Sequence, residues 1–258
     1  MNDQTSLSSS FFARVKIVLV GTSHPGNIGA SARAMKVMGL NRLCLVAPKI
    51  APNRQSRAMA VGAADLLDNA EIVDDLAEAL TDCSAVFGTT ARERTLEWPV
   101  LSPRDAATAV VEESRAGQVA LVFGREDAGL SNDEVGLCHK LIRIPTAEAF
   151  SSLNLAQAVQ VCAYELRMAS TDTTIKSSQD PDDPPASGEA TVRLFDHWLQ
   201  VMTDTGYFHP ANPRLLPHRV RRMLAKARYS VTETQIFRGF LTAVEKSYAN
   251  GQDKNGQD

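Results

Sequence analysis

Three things are scarce in this chain of 258 residues: patterned cysteine, an excess of one charge, and long apolar runs. The four cysteines, Cys44, Cys83, Cys138 and Cys162, stand far apart and form no Cys-x-x-Cys pair. That argues against a zinc centre or a disulfide framework and for buried, reduced thiols. His139 adjoins Cys138, but sequence neighbours diverge on a helix or a strand, so no metal is expected. Lys and Arg number 27 against 30 Asp and Glu, a net charge of −3. Global basicity is therefore absent, and any nucleic-acid partner must be met by a local patch. No run approaches the ~18 apolar residues of a membrane span. Met1–Phe12 is Ser-rich without a positive flank, unlike a secretory leader, so the expected compartment is cytoplasmic and no membrane partner is expected.

What is present is alternation. Val15–Val20 (VKIVLV), Arg42–Val46, Ala85–Gly88, Val119–Phe123 and Leu141–Ile144 have the short, β-rich look of buried strands. Between them Ile28–Met38, Leu76–Leu80 and Pro103–Ser114 carry helical periodicity, the first ending at Gly39, a residue suited to a left-handed cap. Ser131 and Glu134 fit a capping box. A long helix is predicted from Leu153 to Ala169, with Leu155, Val159, Cys162 and Leu166 at core spacing. Strand–helix alternation over 14–170 argues for an α/β domain with a mainly parallel sheet. Residues 171–189 (TDTTIKSSQDPDDPPASGE) have too little apolar surface to offset their ordering entropy and read as a flexible linker. A helical extension over 190–248 follows, with helices expected at Val192–Met202, Leu215–Arg228 and Glu233–Ser247. Gly251–Asp258 reads as a polar tail.

Two glycine-rich segments follow predicted strands, where α/β sheets place ligands. They are Gly21-Thr-Ser-His-Pro-Gly26-Asn27-Ile-Gly29 and Gly124-Arg-Glu-Asp-Ala-Gly129-Leu130-Ser131. Each has the five-residue glycine spacing of a P-loop, but Asn27 and Leu130 stand where the phosphate-binding lysine would be. Neither contains Gly-x-Gly-x-x-Gly. A triphosphate hydrolase and a dinucleotide fold both lose support, and each segment by itself is also compatible with a plain tight turn.

In combination the segments say more. Gly26-Asn27-Ile28-Gly29-Ala-Ser-Ala-Arg33 resembles the first motif of the SPOUT superfamily of RNA methyltransferases. Leu121-Val-Phe-Gly124-Arg-Glu126-Asp-Ala-Gly129-Leu130-Ser131-Asn132 resembles the second. Ile144-Pro145 with Ser151-Ser152-Leu153-Asn154-Leu155-Ala156 resembles the third. Within the superfamily, Thr89-Thr90-Ala91-Arg92-Glu-Arg94 and Tyr164-Glu165-Leu-Arg167 are most similar to bacterial tRNA ribose 2′-O-methyltransferases acting on anticodon-loop position 32. The resemblance implies a parallel sheet with a C-terminal trefoil knot, a homodimer, S-adenosyl-L-methionine as methyl donor and tRNA as partner. Knots are almost absent from protein folds, and nothing in the periodicity predicts one. A ribosomal-RNA enzyme of the same superfamily and a non-catalytic RNA-binding member remain alternatives.

The resemblance also implies roles. Arg33 takes the position of the key catalytic arginine. A guanidinium stays protonated, which favours stabilising an emerging alkoxide over acting as a base, although both readings stay open. Asn27 is placed to orient the same hydroxyl, or simply to start the helix. Thr89, Thr90, Ala91, Gly124, Ile144, Ser151, Ser152 and Leu153 are the expected cofactor-binding set, largely through main-chain groups. Glu126 and Asn154 are expected near the RNA. The extension supplies an RNA-binding patch: Arg214, Arg219, Arg221, Arg222, Lys226 and Arg228 lie in a stretch, 212–232, without an acid. On a helix Leu216, Val220, Met223 and Ala227 would form its apolar stripe, with Arg219, Arg222 and Lys226 on another face suited to phosphates, unless that face is merely solvated.

Overall fold

The computed structural model of the protein describes residues 11–91, 98–147, 152–171 and 182–255. In chain order its elements are β1 (Val15–Val20), α1 (Pro25–Met38), β2 (Arg42–Val46), α2 (Arg54–Ala60), α3 (Ala64–Asp68), β3 (Glu71–Val73), α4 (Leu76–Ala79), β4 (Cys83–Thr89) and β5 (Val100–Leu101). Then come α5 (Pro103–Glu113), β6 (Gln118–Phe123), α6 (Asn132–Gly136), β7 (Lys140–Ile142), α7 (Leu155–Thr171), α8 (Gly188–Asp204), α9 (Leu216–Ala227) and α10 (Val231–Asn255).

The strands form one sheet in the order β3-β2-β1-β6-β4-β7-β5, every pair parallel. All six residues of β1 are buried because it lies inside the sheet with both faces covered. Alternate side chains divide between the faces. Ile17, Leu19, Leu45, Leu121 and Phe123 join the cluster containing Ile28 and Met35 of α1 and Val159, Cys162 and Leu166 of α7. Val18, Val20, Cys44, Val86 and Val122 join the opposite one, with Leu80, Leu130 and Cys138. Lys16 is the exception in β1: its buried ammonium donates to the Ala79 carbonyl at 3.0 Å and to Asp82 at 2.7 Å. The four cysteines are buried, and no disulfide joins them.

Strand β7 follows β4 and β5 in the chain yet lies between them in the sheet. Leu141 and Arg143 donate to the carbonyls of Pro99 and Leu101, while Thr90 donates to that of Ile142. A late segment is thus inserted between two earlier ones.

Several boundaries differ from expectation. Helix α1 starts at Pro25 rather than Ile28, since the proline fixes a helical φ at the first turn and the following glycine does not prevent the turn from closing. Half of the first glycine-rich segment is therefore helix, not loop. Gly39 does close α1 in the left-handed region, at φ 89°. The Ser131–Glu134 capping box is present. Short α2, α3, β3 and β5 have no readable period.

The polar stretch 171–189 is also partly structured. Ser187 caps α8 by accepting from Ala190 at 3.2 Å, and Ala186 and Val231 donate to the carbonyls of Tyr229 and Pro184. Residues 172–181 lie outside the described residues. Helix α10 runs on to Asn255, into the expected polar tail.

The extension has its own core, built from Leu194, Phe195, Val201, Met202, Phe208, Val220, Leu224 and Leu241. The buried stripe of α9 is Val220, Leu224 and Ala225. This corrects the expected one: Met223 is exposed, as is Ala227, because the helix settles on its 220/224 ridge.

Candidate active site

Three stretches far apart in sequence converge at the carboxyl ends of β4, β6 and β7. Between them is a cavity of about 410 Å³, within the range of small-molecule sites. Thr89, Thr90 and Ala91 line one side, Phe123 to Leu130 a second, and Ile142, Ile144, Thr146, Ser152, Leu153, Leu155 and Ala158 the rest. Of the eight residues expected to hold a cofactor, seven line this cavity; Ser151 lies outside the described residues.

The second glycine-rich segment shapes the wall. Arg125 and Gly129 exchange backbone hydrogen bonds at 3.2 and 2.9 Å, folding the loop back on itself. Gly124 lies under that fold, and a Cβ there would overlap the backbone of Gly129 and Leu130. Arg125 makes two 2.9 Å hydrogen bonds to Glu134, which also accepts from the Ser131 amide at 2.7 Å. The loop is thereby tied to α6. The Thr89 hydroxyl donates to the Val122 carbonyl at 3.1 Å, which ties the end of β4 to β6.

Beside the cavity is a polar network the sequence suggested only in pieces. The Asn27 amide donates to Glu126 at 2.9 Å, and the Asn154 amide donates to the Asn27 oxygen at 2.9 Å. Glu126 also accepts from the Ser23 amide and hydroxyl, both at 3.1 Å, and from the His24 amide at 3.4 Å. His24 is the N-cap of α1 but caps nothing with its side chain; Glu126, from another loop, places its negative charge beside the helix start and accepts from the amides just before it. Partial burial works to raise the Glu126 carboxyl, but the hydrogen bonds from Asn27 and Ser23, with the backbone, outweigh it and hold it below its usual range. It is a carboxylate at neutral pH. Asn27, Glu126 and Asn154, expected separately, are thus one unit, and the anionic end of that unit fixes the Asn27 orientation.

Arg33 is not part of the cavity lining. Six helical residues beyond Asn27, it lies about 9 Å along α1 and roughly 120° round it. It is exposed, and Val37, one turn further on the same face, is 69% exposed. Among the described residues no group of His, Cys, Asp and Glu is arranged to hold a metal ion. No described helix is long and apolar enough to cross a membrane.

The six basic residues of the extension separate into two sets. Arg214, Arg219 and Lys226 are exposed. Arg228 is turned inward, its guanidinium against Glu113 and within 3.4 Å of the Ser84 carbonyl, with 16% of its side chain exposed. Arg221 stacks on Phe195 at 4.4 Å, and Arg222 lies over Trp98 at 5.9 Å. Sequence pattern had no means of telling these apart, because the partners of Arg221, Arg222 and Arg228 are distant in the chain.

Comparison with known proteins adds a second line of evidence. Residues 14–164 match the family described as SpoU rRNA Methylase, and 189–254 match the C-terminal domain of the tRNA methyltransferase TrmJ. The chain is 46% identical over 235 residues to the tRNA (cytidine/uridine-2′-O-)-methyltransferase TrmJ of Sodalis glossinidius, covering 90% of this chain and 91% of that one. Its fold matches the crystal structure of TrmJ from Z. mobilis ZM4 with a TM-score of 0.80 and 36% identity, over 89% of this chain and 98% of the other. A probable methylase family protein from Haemophilus influenzae Rd KW20 matches with a TM-score of 0.60 and 39% identity, over 92% and 98%.

Proposed function

Because this chain belongs to the SpoU methylase family and carries a TrmJ-type C-terminal domain, we propose that it methylates the ribose 2′-hydroxyl of a tRNA nucleotide at anticodon-loop position 32, using S-adenosyl-L-methionine. The observation that carries the reading is the convergence of seven expected cofactor residues on one cavity beside the Asn27–Glu126–Asn154 network.

The cavity suits the donor. Its size fits a nucleoside with an amino-acid arm, and Ile142, Ile144, Leu153 and Leu155 give an apolar slot edged by loop backbone. When bound, S-adenosyl-L-methionine supplies an activated methyl group on a sulfonium. The rest falls to the protein's own side chains. The ribose hydroxyl is a poor nucleophile, so the gain comes from alignment and from charge placed where the alkoxide develops. Asn27, held from both sides, is suited to orient that hydroxyl. Arg33 is suited to grip the adjacent phosphate and offset the developing negative charge.

Arg33 is exposed and does not line its own protomer's cavity, which supports a homodimer in which it serves the partner's site. Its helix face agrees, since an exposed Val37 beside it would be covered by a second copy. Insertion of β7 between β4 and β5 supports the knotted path. A tRNA substrate and the absence of a described membrane helix support a cytoplasmic location.

Incubating the protein with bulk tRNA, and separately with ribosomal RNA, in the presence of isotope-labelled S-adenosylmethionine, then analysing nuclease fragments and nucleosides by mass spectrometry, tests the reading. Label in 2′-O-methylated cytidine or uridine from position 32 is expected. Label found only in ribosomal RNA, or cofactor binding without any transfer, would overturn it. The cofactor alone should raise thermal stability by mass action, about 2.7 kcal/mol at one hundred times its Kd. Titration calorimetry without saturable binding at millimolar cofactor would contradict that.

The exposed set Arg219 and Lys226 is the proposed phosphate track. Reversing both to Glu should raise the KM for tRNA far more than it lowers kcat, since such contacts serve ground and transition states alike. It should also flatten the log–log salt dependence by about 0.7–0.9 per lost contact. An unchanged slope would mark the face as merely solvated.

A further inference from the structure

We propose that Arg222 is a positioning residue for the cofactor cavity: lying over the Trp98 ring, it makes α9 a strut against two cavity walls, so that the RNA-binding extension and the cofactor site are energetically coupled. This rests on the cavity being the S-adenosylmethionine site.

The contacts run along two lines. In the first, Arg222 covers the Trp98 ring at 5.9 Å, and the buried Trp98 indole donates to the Cys138 carbonyl at 2.9 Å. Trp98 belongs to the same buried cluster as Leu130 and Leu141. Leu130 lines the cavity and packs over Gly88, at the end of the strand leading to Thr89 and Thr90. In the second, Arg221 of α9 fills the notch at Gly136 of α6, where a Cβ would come within 2.8 Å of its Cδ. His218 lies 3.6 Å from Asp133 of the same short helix. Helix α6 in turn carries Glu134, the anchor of cavity-lining Arg125. One helix of the extension therefore bears on both the Gly124–Leu130 loop and the structure behind Thr89–Ala91.

Arg222 taken simply as another phosphate contact would predict effects on tRNA binding alone. A positioning role predicts an effect without any RNA. Coupling is also reciprocal: whatever factor docking of the extension contributes to cofactor affinity, bound cofactor must return to the docking equilibrium of the extension.

The test measures S-adenosylmethionine affinity by calorimetry in RNA-free, full-length protein. Arg222→Ala should weaken it roughly two- to fivefold, the range a partly exposed cation–π contact supplies. Arg222→Lys, which keeps the charge but loses the planar guanidinium, should recover part of the loss. Met223→Ala, exposed on the same helix, should leave cofactor affinity unchanged. Adding Trp98→Phe to Arg222→Ala should cost less than the two single effects combined, as expected for residues acting as a pair. The chain has two tryptophans, Trp98 and Trp198. In a Trp198→Phe background, Trp98 emission should therefore shift on adding cofactor, and Arg222→Ala should reduce the shift. Wild-type cofactor affinity in Arg222→Ala and Arg222→Lys, with weakened tRNA binding, would overturn the proposal while leaving the cavity's assignment intact. Failure of the unsubstituted protein to bind S-adenosylmethionine would instead remove the reading beneath it.

Discussion

Arg33→Ala should lower turnover by roughly 10²–10³-fold, the loss typical when one group stabilising a developing oxyanion is removed. Cofactor affinity should stay within about twofold, because Arg33 lies off the cavity that the cofactor is proposed to fill. Single-turnover methylation with saturating tRNA separates the chemical step from binding. Full-rate turnover would end the assignment, and loss of cofactor binding would show that the substitution had damaged the fold instead. The position of Arg33 yields a sharper expectation. Arg33→Ala and Gly124→Ala should each be nearly inactive, the second because its Cβ would overlap the loop backbone that lines the cavity. Mixed and re-paired, they should regain roughly a quarter of wild-type activity. Half of randomly formed dimers then hold one intact cavity facing one intact arginine. If Arg33 served its own protomer's cavity, the mixture would stay inactive.

The sequence made the cavity more legible than the network beside it. Thr89, Gly124, Ile144 and Ser152 follow strand ends, where a parallel sheet opens its ligand crevice, and strands are readable from apolar runs. Asn27, Glu126 and Asn154 could be picked singly from the motif resemblance, but their mutual bonds cross 99 and 127 residues, and no periodicity encodes such a separation. Ser23, Arg125 and Ile142 were missed for a related reason. Their place in the site comes from how the loops fold back, and the loop sequence shows only that they turn. The first glycine-rich segment misled in the other direction. Gly26 looked like loop, yet packing against α2 keeps it helical despite its poor propensity. In the extension, helix positions were recoverable from apolar spacing, whereas the fate of each arginine depended on tertiary partners.

Arg228 shows how much that distinction matters, and Arg228→Ala should destabilise the folded protein by about 3–5 kcal/mol. Its guanidinium meets the Glu113 carboxylate at the end of α5, with 9% of the Glu113 side chain exposed; Lys140 is 3.7 Å from the same carboxylate. Burial lowers the Arg228 pKa to about 10, which still leaves it charged at neutral pH. Truncation would therefore take the Arg228 guanidinium away from a buried carboxylate, and removing one partner of a buried ion pair is far costlier than losing a surface pair. Urea unfolding at pH 7 measures the loss. Replacing both partners with apolar residues of similar size, Arg228→Met with Glu113→Leu, should recover much of it, since the penalty lies in the buried charge left behind and not in the absent bridge. The salt dependence of tRNA binding discriminates further. An anchor leaves the slope unchanged under conditions where the variant stays folded, whereas a phosphate contact would flatten it by about 0.7–0.9. Wild-type stability with a flatter slope would return Arg228 to the RNA-facing set. The predicted loss also bears on cutting the chain after Ser170. Such a fragment would keep the cavity residues but leave Glu113 without Arg228 and uncover Leu80, Val86 and His139, which the extension faces across a small apolar cavity. It should be less stable than the full chain and prone to associate through that apolar surface, so the extension acts as part of the catalytic domain's packing as well as its proposed grip on RNA.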